Sequence, residues 1–398
     1  MIFSRHTAFY SLFFAALFLA GFVRPLAAQM PGESILRSYE RIFIRSSLNT
    51  KVNVLSDAAN DEAAAEFYGP LCELALRFVM ENAPFFREDP DMISITIIAA
   101  RGIGRHRYSP AADTLWQAFL RFPDKVIRDE ILAVLPLLDI SALAGKINSF
   151  LAEQNQRYSS AQDVDYEILS ALFGLLKKVG NDSSYPVLFA SSMIYSGDLE
   201  MEAIQAINNI PGDFFTFCMG VILRNPPAEK LHAFKLFTAN QRSTAEEKGI
   251  LAEAALEAAL AVPGDRSEIR ELAERSMDII RGTERVRALP QVLKYYNQSL
   301  AAFRANPSRK QPLLKAISCL ASLKSADAAQ PLALQLGLYN SRFGFAQGAE
   351  MEVILALIKA LGQLGYKASF DALNYASILP YPEEIVQAAR SALENLRW

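Results

Sequence analysis

The chain has 398 residues, with 40 basic and 43 acidic side chains, a formal net charge of −3, and 51% hydrophobic residues. That balance leaves no electrostatic footprint for bulk nucleic-acid binding. Three widely spaced cysteines, Cys72, Cys218 and Cys319, argue against a disulfide framework and read as small buried hydrophobes.

The first 28 residues read as a signal peptide. Arg5 and His6 precede an apolar run, Thr7–Val23, and Pro25-Leu26-Ala27-Ala28 offers small residues for cleavage after Ala28. The alternative is a retained anchor, because a run of 17 residues reaches the lower length of a membrane span. Cleavage would remove Arg5 and Arg24 and no acid, leaving 38 basic and 43 acidic residues, a net −5. No later apolar run is long enough to span a bilayer.

After that, the pattern predicts helices almost throughout. Alanine, leucine and glutamate dominate, and no stretch alternates with period two. Ser34–Ile44 reads as an amphipathic helix, and Ser47–Asn60 is polar and gives no definite element. Asp61–Asn82 reads as a helix interrupted at Gly69-Pro70. Pro84 and Pro90 then bracket a linker, PFFREDP. Ile93–Ile103 and the segment opened by Ser109-Pro110 form a helix pair, followed by helices over Asp124–Leu138 and Ser141–Glu153. Asn155–Gln162 is polar and reads as an exposed connection. A second clear pair runs from Asp163 to Asn209 and stops at Pro211-Gly212. Ser243 with Glu246 matches a capping box.

The C-terminal stretch is the most regular. Glu350–Leu364 carries Val353, Ile354, Leu357, Ile358, Leu361 and Leu364 on one helical face. Gly365 lets the backbone leave that helix. Ala368–Leu379 is the next helix, Pro380 and Pro382 end it, and alanine-rich Ile385–Leu396 closes the chain.

This pattern repeats. A shift of 41 lays Leu313 on Ile354, Leu320 on Leu361 and Leu332 on Leu373. A shift of 185 lays Glu167 on Glu352, Leu176 on Leu361 and Gly180 on Gly365. A shift of 258 lays Gly104 on Gly362 and Tyr108 on Tyr366. Through the segments LIKALGQLGYKASFDAL, LFGLLKKVGNDSSYPVL, IAARGIGRHRYSPAADTL and ISCLASLKSADAAQPLAL, the chain resembles HEAT and armadillo-like repeat proteins, whose period is roughly 40–47 residues. The resemblance implies an all-α fold, a right-handed α-solenoid of helix pairs. Its expected divisions are a signal peptide (1–28), an N-terminal helical cap region (29–90), HEAT-like repeats (91–210), an irregular helical part (211–311) and C-terminal repeats (312–398).

Chemical motifs are sparse. After residue 28 only His106 and His232 remain as histidines, and no CxxC, HExxH, GxSxG or Walker loop occurs. Gly102-Ile103-Gly104 lies at the end of a predicted helix and reads as a repeat turn. No catalytic residue, metal site or cofactor is expected. Arg101, Arg105, His106 and Arg107 put four potential cations in seven residues. They could contact an anion or a partner, or form a solvated turn that balances helix C-termini. Phe85 and Phe86, in the proline-bounded linker, are candidates for an exposed aromatic contact. The acids and arginines between Asp265 and Arg275 read as a salt-laced outer face.

Together these features lead to an expected function: a non-enzymatic exported scaffold that binds another protein in the periplasm or cell envelope, or after secretion. No nucleic acid and no membrane span after cleavage are expected. The alternatives are an α/α-toroid or helical lyase-like enzyme, and a cell-wall or polysaccharide-binding protein.

Overall fold

The computed structural model describes residues 31–86, 89–264, 266–342 and 348–397. The expected signal peptide, residues 1–28, lies outside them. Among the described residues the protein is all-α: twenty α-helices, several short 3-10 turns and no strand. The chain divides into two compact units, one ending at Gly180 and the other beginning at Asn181.

The first unit contains α1 (Pro31–Arg45), α2 (Leu48–Asn60), α3 (Tyr68–Phe86), α4 (Pro90–Arg105), α5 (Ala112–Arg121), α6 (Lys125–Val134), α7 (Ala144–Ser159) and α8 (Tyr166–Val179). Each helix here packs on a near neighbour in sequence. In addition α1 meets α3, α2 meets α4, α3 meets α5, α4 meets α6, and α6 meets α8. Gly102 shows how close the backbones come. A Cβ there would sit 2.5 Å from Cys72 Sγ and 2.6 Å from Tyr68, so the smallest residue lets α4 lie against α3.

Sequence expectation and structure part company at four places in this unit or at its edges. Ser47–Asn60, without a definite element in the sequence, is α2. Its buried stripe is Lys51, Val54, Leu55 and Ala58, a helical spacing hidden by a lysine in the first position. Gly69-Pro70 falls in the first turn of α3, where proline's missing N–H has no partner to lose. The expected linker is largely helix: α3 runs through Pro84 to Phe86. Finally, Asn155 lies within α7, which runs on to Ser159, and both Gln154 and Asn155 are buried.

The second unit contains α9 (Tyr185–Ile194), α10 (Asp198–Asn209), α11 (Phe214–Arg224), α12 (Pro227–Ala239), α13 (Ala245–Ala261), α14 (Ser267–Thr283), α15 (Leu289–Ala305), α16 (Lys310–Ser322), α17 (Ala326–Ser341), α18 (Ala349–Leu364), α19 (Phe370–Ile378) and α20 (Glu383–Glu394). From α11 on, two alternating series contact each other: α11, α13 and α15 in one, and α12, α14, α16, α18 and α20 in the other. α17 and α19 also pack together. The capping box before α13 is Thr244 with Glu247, one residue later than expected: Thr244 N–H donates to Glu247 Oε2 at 2.8 Å, and Glu247 N–H donates to Thr244 Oγ1 at 3.2 Å. Ser243-Thr244 and Glu246-Glu247 are doubled residues, so the sequence alone permits both registers. Gly365 takes a left-handed conformation, φ 69°, at the end of α18, as its position after the apolar stripe leads one to expect.

The core is apolar and aromatic. Trp116, Phe119 and Phe150 cluster in the first unit, and Tyr185, Phe214, Phe217 and Phe237 in the second. Cys72, Cys218 and Cys319 are free and fully buried. Burial pushes the Cys72 and Cys319 thiols up to about 12.

Two buried lysines perform the same local task. Lys51, the fourth residue of α2, donates to Phe43 O, to Ser46 O at 2.7 Å and to Ile44 O at 3.2 Å, closing the C-terminus of α1. Its ammonium also lies over Phe43 and Phe78, 5.1 and 4.8 Å from the ring centroids. Lys230, the fourth residue of α12, donates to Ile222 O at the end of α11. In both cases one acceptor lies eight residues earlier. The last carbonyls of a helix lack intrahelical partners, and a lysine from the following helix supplies a donor with favourable charge.

Candidate functional site

The residues singled out from sequence do not assemble into a site. Arg101 is exposed on α4 and committed to Glu130 of α6, with Nε and Nη2 at 2.9 and 2.7 Å from Oε2. Arg105 occupies the last turn of α4, where a cation suits the negative helix end. His106 caps that helix through its backbone and meets Tyr68 edge-on, ring centroids 5.3 Å apart. Arg107 adopts a left-handed conformation, φ 49°, in the turn that follows. None of these four side chains lines the apolar groove between α17 and α19. Phe85 and Phe86 end α3, and their side chains lie outside the described residues.

His232 has a partner the sequence does not reveal. Its Nε2 lies 2.8 Å from Ser192 Oγ. Ser192 is only 2% exposed, and its hydroxyl donates to Phe189 O at 2.9 Å. With its one proton used there, the hydroxyl accepts from Nε2–H. The pair ties α9 to α12. Burial holds the His232 pKa below its usual value, against an opposing pull from Glu200.

The most distinctive surface lies between α17 and α19. A groove of about 660 Å³ is floored by the small residues Ala333, Gly337, Ala368 and Ala372. Leu334, Leu338 and Tyr375 form its walls, and they are 68%, 43% and 49% exposed; Ile378, one turn beyond Tyr375, is 69% exposed. Leu334 and Leu338 are one helical turn apart, so they stand on the same side of α17. A Cβ built on Gly337 meets nothing within 4 Å, which leaves the middle of the trough open. The two helices are also poor in charge: α17 carries only Asp327 and α19 only Asp371. Exposed aliphatic and aromatic side chains with few charges are the composition of an interface centre. Asn340 holds the groove's far end, donating to Ala372 O at 2.9 Å.

Sequence reading missed this groove. Leu334 and Leu338 stand in a leucine-rich helix, and Tyr375 in the apolar run Ala368–Leu379, with nothing local to mark them as exposed. Their exposure depends on how two helices some 40 residues apart meet.

Among the described residues no group of acidic, histidine or cysteine side chains is arranged to hold a metal ion, and no single helix is long and apolar enough to cross a membrane. No protein-family model, no curated protein and no solved structure matches the chain.

Proposed function

We propose that the protein is an exported, non-enzymatic helical-repeat adaptor, and that the groove between α17 and α19 holds an amphipathic helix of a partner protein. The carrying observation is the exposure of Leu334, Leu338 and Tyr375 around a floor of alanine and glycine, with Ile378 exposed one turn beyond Tyr375. A helix seated there would present apolar side chains at one-turn spacing, matching the walls, and a lysine or arginine toward Asp371, the only charged residue lining the groove among the described residues.

Recurrent ties support the HEAT-like, right-handed solenoid reading. Lys125, at the start of α6, pairs with Glu167 in the first turn of α8. Lys310, at the start of α16, pairs with Glu352 in the first turn of α18 at 2.5 Å. Each pair spans 42 residues, and one lies 185 positions after the other, the same shift that aligns Glu167 with Glu352 in sequence. A second equivalence follows the shift of 258: Gly104 faces Val134, and Gly362 faces Ala392, across the same step from one helix to the next but one. Export rests on the signal-like residues 1–28.

Two experiments test the reading. Capture of the partner from envelope extract should fall about tenfold on Leu334→Asp or Ile378→Asp, because a buried charge at an interface centre is uncompensated. Both positions are exposed, so folding stability should change by no more than about 0.5 kcal/mol. Undiminished capture by both variants would contradict the groove assignment. Sequencing the mature N-terminus tests export: Gln29 is expected, and an intact Met1 would contradict cleavage.

A further inference from the structure

A small cavity of about 160 Å³ opens in the second unit, where the starts of α9, α11 and α13 meet the ends of α10 and α12. Pockets for drug-sized ligands hold about 300 Å³ or more, so this one suits a smaller molecule. One wall is aromatic. Phe237 lies 5.8 Å from Phe214 and 5.7 Å from Phe215 between ring centroids, and Tyr185 lies 5.2 Å from Phe214. Gly212 lets the loop before α11 close in. A Cβ there would sit 2.1 Å from Asp182 Oδ1, the atom that accepts the Asp213 N–H at 2.8 Å.

The cavity is lined by donors that the protein leaves unused. Asn240 is only 7% exposed, and its Oδ1 accepts the Arg242 N–H at 2.8 Å, so Nδ2 has no partner among the described residues. A buried amide with open donors is costly until something accepts from it. Arg242 is anchored through Nη1 to the carbonyls of Asn208 and Ile210, at 3.1 and 3.2 Å. Its Nε and Nη2 are unpartnered among the described residues, and no carboxylate there pairs with it. Acceptors face the same space. Glu247 takes both Thr244 bonds on Oε2, which leaves Oε1 open. Asp213 accepts the Thr216 N–H and O–H at 2.8 and 2.6 Å, bonds that hold its carboxyl below the usual carboxylate range. The lining thus carries one guanidinium and two carboxylates beside aromatic faces. A simple anion would meet the carboxylates, and a simple cation would leave the guanidinium and the buried amide unfilled. A ligand with both charges close together answers each group.

We propose that this cavity binds an α-amino acid, its carboxylate on Arg242 and Asn240 and its ammonium toward Glu247 and Asp213. The proposal is independent of the apolar groove. Titration calorimetry on the full mature chain tests it with each standard L-α-amino acid, and with acetate and methylamine as the two separate halves. At least one amino acid is expected to bind saturably, with both halves weaker by about tenfold or more. Arg242→Gln should weaken that binding by about tenfold or more. Arg242→Lys should weaken it less, because charge remains but the paired donors are lost. Arg105→Gln should leave it unchanged. Three results would overturn the proposal: no saturable binding by any amino acid, acetate or methylamine binding as tightly as the best amino acid, or undiminished binding by an Arg242→Gln variant whose thermal melt matches the wild type.

Discussion

Replacing Gly337 separates stability from binding, because the groove that would receive a partner is also a place where the helix is weaker than it could be. Gly337 lies inside α17 with an ordinary negative φ, and a Cβ at that position meets nothing within 4 Å. Alanine there should therefore gain the full difference in helix propensity, about 0.5–1 kcal/mol, with no steric penalty. In a unit of this size that corresponds to a rise of about 1–4 °C in the melting temperature. Phenylalanine at the same position places a ring in the open trough between Leu334 and Leu338. It should fold at least as well as the wild type and lose the partner. Differential scanning calorimetry of both variants, run beside quantitative capture of the partner, gives the two readings. A fall in melting temperature for Gly337→Ala would refute the open-groove geometry. Undiminished capture by Gly337→Phe would refute its role in binding.

Further outcomes follow from the buried polar groups. Lys51→Met and Lys230→Met should each destabilise by about 1–3 kcal/mol in urea denaturation, since each leaves helix-terminal carbonyls without their donor. His232 has a depressed pKa in the folded state, so the unfolded chain binds the extra proton more readily. Its contribution to stability is complete above the unfolded value of about 6.5 and is lost as pH falls through the lower folded value. His232→Gln should remove that part of the acid sensitivity in denaturation midpoints measured between pH 7 and pH 5, and an unchanged profile would count against the buried, neutral imidazole. Gly102→Val should destabilise by about 1–3 kcal/mol, because its side chain has no room between Cys72 and Tyr68, as thermal melts can show.

Local signals carried the C-terminal helices well. Gly365 and the prolines at 380 and 382 act on their own neighbours, and the ends of α18, α19 and α20 lie within two residues of where those signals put them. The shift of 185 read from the sequence also relates two ion pairs, Lys125–Glu167 and Lys310–Glu352, each spanning 42 residues. What failed was the assumption that polar means exposed. Lys51 completes the buried stripe of α2, and Gln154 and Asn155 turn inward from α7. The apolar groove stayed hidden because nothing local marks Leu334 and Leu338 as exposed before α19 is placed beside them. The acidic and basic run after Asp265 reads as a salt-laced face. Glu271 with Lys235 and Arg275, each at 2.8 Å, fits that description. Asp265 itself lies outside the described residues.

The most direct test places a photo-reactive amino acid at Tyr375 in the full-length chain and identifies the cross-linked peptide by mass spectrometry. The expected product is one partner, joined through a helical segment with apolar residues at one-turn spacing. It should be competed by the corresponding synthetic peptide and be absent in the Gly337→Phe background. Products that match those from an exposed control position such as Arg224, or that persist in the Gly337→Phe background, would contradict the proposed docking groove.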